Sequence, residues 1–131
     1  MDLKKYFTDT EGVGVLSTAD DAGRVNGAIY SRPHLLDDGY VSFIMRDRLT
    51  RNNLQHNPYA HYLFLEKGGG YSGVRIYLEK VKEVQDKELI AQLSRRKEKS
   101  DLQEKAPSIF LVSFKIIKLI ELLGDKEITV E

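Results

Sequence analysis

Between Tyr40 and Leu65 the chain passes through an apolar strand (Tyr40 to Met45), a polar turn bearing arginines (Arg46 to Arg51), a short helix closed by Asn57-Pro58, and a second apolar strand (Tyr59 to Leu65). This order constrains the fold more than any other stretch, because it sets a charged corner between two buried strands. A corner that opens a helix directly after a strand offers an anion three things: free N–H groups of the first helical turn, a favourable dipole, and guanidinium groups. The expected ligand is a phosphorylated small molecule.

The flanking segments read as more strands and a few short helices. Leu3 to Asp9 is expected to be helical, with Leu3, Tyr6 and Phe7 on one face, and Gly12 and Gly14 end it. Val13 to Thr18 reads as a strand, Asp20-Asp21-Ala22-Gly23 as a turn, and Arg24 to Ser31 as the return strand. In that return strand Asn26, Gly27 and Ala28 are small on both faces. Small residues allow close approach to the backbone, by a flat ligand or by a crowded barrel bend. After Lys67-Gly68-Gly69-Gly70, the residues Val74, Ile76 and Leu78 alternate with Arg75, Tyr77 and Glu79, the pattern of a half-buried strand. The phase changes between Leu78 and Val81, which predicts a bulge or a bend. Asp86 is expected to cap a helix reaching about Lys99, and Ile109 to Leu122 to form a long last strand. About six strands joined mostly by short turns predict a mainly β domain, an antiparallel split barrel with helices over its openings.

Composition narrows the function classes. At 131 residues the chain is one domain, residues 1–131, able to bury a single core. Lysine plus arginine equals aspartate plus glutamate at 20 each, so no net field draws the chain to nucleic acid or to an anionic membrane. A nucleic-acid module would also need an aromatic stacking ladder, which the sequence lacks. The absence of cysteine excludes disulfides and thiolate metal sites. Neither a signal-like apolar run after Met1-Asp2-Leu3-Lys4-Lys5 nor a stretch of roughly 18 apolar residues is present, so a cytoplasmic location is expected. His34, His56 and His61 lack the close spacing of a metal site, and no Ser/His/carboxylate triad can be drawn. Catalytic residues are therefore left unassigned. His61 shares its strand face with Leu63 and Leu65, so it is expected to be a core histidine.

Taken in order, these segments resemble the FMN-binding split-barrel family, the pyridoxamine 5′-phosphate oxidase-like proteins. The resemblance spans roughly Tyr6 to Glu121. Its strongest part is Gly39 to Pro58, Gly-Tyr-Val-Ser-Phe-Ile-Met-Arg-Asp-Arg-Leu-Thr-Arg-Asn-Asn-Leu-Gln-His-Asn-Pro. It implies FMN as cofactor, with Arg48, Thr50 and Arg51 at the phosphate and Asn53 at the phosphate or ribityl hydroxyls. It further implies that Asn26, Gly27, Ala28 and Ile29 lie along the isoalloxazine ring, with Ile44 and Met45 meeting it from the next strand. Family members form homodimers with FMN between subunits, which makes Tyr71 a candidate to approach the partner's flavin. The resemblance departs in two places. Leu49-Thr50 stands where the family usually has a basic pair, and the oxidase's C-terminal segment rich in arginine and tryptophan has no counterpart before Glu131. The implied function is an FMN-dependent oxidoreductase acting on a small molecule other than pyridoxamine phosphate. The alternatives are a non-enzymatic FMN electron carrier or sensor, or a haem-binding relative.

Overall fold

A computed structural model of the protein describes residues 1–94 and 109–131. Its elements in chain order are α1 (Leu3–Asp9), β1 (Gly12–Ala19), β2 (Val25–Tyr30), β3 (His34–Leu35), β4 (Val41–Arg46), α2 (Leu49–Leu54), β5 (Tyr59–Glu66), β6 (Gly73–Val84), α3 (Lys87–Leu93) and β7 (Ile109–Glu121). The strands form one antiparallel sheet in the order β2-β1-β5-β6-β7-β4-β3. The sheet curls until Tyr30 of β2 meets Phe43 of β4, their ring centroids 6.0 Å apart, although no ladder joins those strands. The barrel is therefore split along the β2 edge. No helix among the described residues is long and apolar enough to cross a membrane.

Alternation decides which face each strand buries. Leu16 and Thr18 on β1, Ala60, Tyr62 and Phe64 on β5, and Val74, Ile76 and Leu78 on β6 all point inward and are buried. Leu3 and Phe7, one turn apart on α1, fill an end of this interior, where Phe7 sits edge-on to Phe64 at 5.2 Å. Asp2 starts α1 by accepting a hydrogen bond from the Lys5 amide. The first six residues of β7 are buried on both faces, which explains their unbroken hydrophobicity. Inward, Phe110, Val112 and Phe114 join the main core, while Ile109 and Leu111 form a second cluster with Ile90 of α3.

Most elements fall where the sequence puts them, with four differences. The described residues form seven strands rather than about six, because two residues after Pro33 pair with Val41 and Ser42. Proline has no N–H to give a ladder, so pairing can begin only beyond it. Helix α2 starts at Leu49, which brings Thr50 and Arg51 into the helix; Arg48 is the N-cap, with no side-chain cap bond. Asp86 does cap α3, but that helix ends at Leu93, and the Arg95–Lys99 run lies outside the described residues. His61 is not a core residue. The inward face of β5 is Ala60, Tyr62 and Phe64, and His61 lies half-buried on the outer face, edge-on to Tyr77 at 4.9 Å. Burial, then the nearby Arg75 charge, lowers its pKa. The expected phase change in β6 is present as two register shifts, at Tyr77/Leu78 and Lys80/Lys82.

Candidate functional site

The open seam of the barrel holds a cavity of about 490 Å³, bounded by β2, the end of β4 and the start of α2. Seven residues singled out in the sequence line it: Asn26, Gly27, Ala28 and Ile29 on β2, Ile44 on β4, and Arg48 and Thr50 at the corner. The β1 register puts Ala28 opposite Leu16 and Asn26 opposite Thr18, so these two share the inward face, with Gly27 and Ile29 outward. Because β2 ends the sheet, one row of its backbone N–H and C=O groups has no partner among the described strands.

The remaining four expected residues do not line the cavity. Met45 points into the main core and is 1% exposed, on the opposite face of β4 from Ile44. Asn53 is buried, and its amide donates to the Thr18 hydroxyl at 3.1 Å, which ties α2 to β1. Arg51 is turned away from the cavity. It donates to Asp47 at 2.9 Å and to Glu83 at 2.5 Å, with its guanidinium 3.6 Å from the Phe110 ring centre. Tyr71 stands exposed in the β5–β6 turn, with a positive φ of 51°.

Three cavity residues that the sequence reading passed over matter to its chemistry. Tyr30 continues the inward row of Asn26 and Ala28, a signal available from the alternation alone. Burial raises its pKa, outweighing the neighbouring Thr50 hydroxyl and the Arg48 charge, which act to lower it. Arg46, the last residue of β4, and Arg32 also line the cavity. Arg32 donates to the Phe7 and Thr10 carbonyls at 3.0 and 2.9 Å, satisfying the end of α1. The cavity wall thus carries Arg32, Arg46, Arg48 and His34, and none of its described lining residues is Asp or Glu. In a chain of zero net charge, the three arginines make this wall locally positive.

No family model and no curated protein matches the chain. Solved structures do. An FMN-binding protein from Syntrophomonas wolfei superposes with a TM-score of 0.75 at 21% identity, over 95% of this chain and 86% of that one. The heme storage protein HutZ from Vibrio cholerae gives 0.66 at 19% identity, over 92% and 95%. A putative pyridoxamine 5′-phosphate oxidase from Lactobacillus delbrueckii gives 0.65 at 14%, over 90% and 89%. Identities this low speak for the architecture: the chain has the split-barrel fold, and its structural neighbours are FMN-binding and pyridoxamine 5′-phosphate oxidase-like proteins.

Proposed function

We propose that this chain is an FMN-binding flavoprotein of the pyridoxamine 5′-phosphate oxidase-like superfamily, an oxidoreductase acting on a small molecule as a homodimer. The observation that carries the reading is the cavity itself, with cationic side chains, no carboxylate among its described lining residues, and one wall made of a small-residue strand edge. Its volume of about 490 Å³ lies inside the roughly 300–1,000 Å³ usual for small-molecule sites. Arg48, with the hydroxyls of Thr50 and Tyr30, would hold the phosphate. The edge of β2 would meet the polar rim of the ring with backbone groups, and Ile44 would flank it. When bound, FMN supplies hydride and single-electron transfer. The protein's part is to anchor the phosphate, orient the ring and set the local charge.

Tyr71 is exposed and lies outside its own chain's cavity lining; in the proposed dimer it would approach the partner's cavity.

The test is direct. Freshly purified protein should be yellow and release FMN on denaturation. Arg48→Ala should weaken FMN binding at least tenfold, taking a phosphate contact as worth about 1.5–3 kcal/mol, and should leave riboflavin binding unchanged. Colourless protein that takes up no added FMN would end this reading. A haem-binding alternative has one observation in its favour, the His34 imidazole on the cavity wall, and would announce itself by a Soret band. A pure electron carrier would bind FMN yet show no turnover with nicotinamides.

A further inference from the structure

Three arginines stand within six residues at the corner, Arg46, Arg48 and Arg51, and between the first two lies its single carboxylate, Asp47. Asp47 is badly placed for an anion site. A carboxylate between two cavity-lining guanidiniums would neutralise them and repel the ligand. Yet Asp47 does not line the cavity: its carboxylate accepts from Arg51 at 2.9 Å, one helical turn on. Arg51 is in turn held from the far side. Glu83 on β6 accepts from it at 2.5 Å, and Phe110 lies under the guanidinium plane. Glu83 also accepts from Lys80 at 2.8 Å and from Gln55 at 3.1 Å, so three donors fix the acid that fixes Arg51.

We infer that Arg51 is a positioning residue that, anchored by Glu83, draws Asp47 out of the cavity and thereby keeps the corner cationic. This deepens the reading of the cavity as an anion site and rests on it. Arg51 then affects affinity without touching the ligand. It also gives a sign that simple charge counting reverses. Removing the Glu83 carboxylate should weaken the binding of an anion, because Arg51 loses its anchor and Asp47 its restraint.

The experiment compares FMN with riboflavin, which lacks the phosphate, on the full chain. Arg51→Met is expected to weaken FMN on the order of tenfold, about one charge-assisted contact, with riboflavin unchanged. Adding Asp47→Asn to Arg51→Met should restore most of the lost affinity, since the displaced residue is then neutral. If the double variant binds as weakly as Arg51→Met, Arg51 acts on the ligand itself and the inference fails. An equal loss of FMN and riboflavin would also overturn it, as that marks general damage to the fold. Should Arg51→Met not fold, Glu83→Gln serves: weaker FMN binding supports the clamp, and equal or tighter binding refutes it. A crystal structure of ligand-free Arg51→Met gives a readout independent of FMN. Asp47 turned toward Arg46 or Arg48 supports the clamp, and Asp47 still outside the cavity overturns it. Wild-type protein that binds no FMN would count against the cavity reading alone, and that crystal structure would still decide the clamp.

Discussion

Glu83 is a carboxylate only one-fifth exposed in its side chain, a position that would disfavour charge were it alone. Burial acts to raise its pKa, but hydrogen bonds from Arg51, Lys80 and Gln55 override that and bring it to about 2, from an ordinary 4.5. A group whose pKa falls on folding stabilises the native state above its unfolded value and loses that contribution as pH drops through the folded one. The window is therefore pH 4.5 down to about 2. After allowance for solvent, the contribution is on the order of 2 kcal/mol. In urea titrations the stability gap between wild type and Glu83→Gln should be widest above pH 5 and close toward pH 2.5. A gap that does not change with pH would mean the clamp is not ionic. The same pair marks a limit of reading residues one at a time. Arg48 and Arg51 look alike in sequence, and what separates them is a partner 32 residues further along the chain. Asn53 likewise reads as a ligand contact until Thr18, 35 residues earlier, takes its amide.

At the level of elements, periodicity carries most of the information. Val74, Ile76 and Leu78 announce β6, its bulges follow from the broken phase, and Asp86 marks the start of α3. Periodicity fails on β5 because both faces are apolar. Tyr62 and Phe64 point in, Leu63 and Leu65 point out, and only the whole sheet decides between them. The small residues of β2 left two explanations open, a barrel bend or close approach of a ligand. The space around β2 helps to separate these. A Cβ on Gly27 would meet a Val15 methyl at 3.3 Å and the Ser17 hydroxyl at 3.6 Å, both side-chain atoms, so no backbone approach within the chain requires glycine there. Ala28 is the sharper probe because it lies on the inward face and lines the cavity. Ala28→Leu should leave the thermal midpoint nearly unchanged while weakening FMN and riboflavin alike, because it occupies ring space and leaves the phosphate corner intact. Loss of FMN affinity alone would locate the ring somewhere other than β2.

At the scale of the whole molecule, the outer face of the sheet is polar on β6, with Arg75, Tyr77 and Glu79, but on the β2-β1-β5 side it is unlike a solvated surface. An antiparallel sheet with one wet side is expected to alternate apolar inside with polar outside. Here the cross-strand row Ile29–Val15–Leu63 and the neighbouring pair Val13–Leu65 put aliphatic side chains outward, with Ile29 71% and Val13 54% exposed. Contiguous apolar surface of this kind marks an interaction face. Strand β2 joins that face to the cavity, since Ile29 and Gly27 point outward and also line the cavity. A second copy of the chain seated there would cover the apolar rows and close the open seam in one step, with both copies using the same surface as twofold symmetry requires. Val13→Asp with Leu65→Asp alters this face away from the cavity lining. In sedimentation the wild type is expected at twice the chain mass and the double variant at the single mass, with FMN affinity lowered as the seam reopens. A double variant that stays dimeric would assign the contact to another surface. One that dissociates yet binds FMN as before would mean that a single chain completes the site, and that Tyr71 has no part in it.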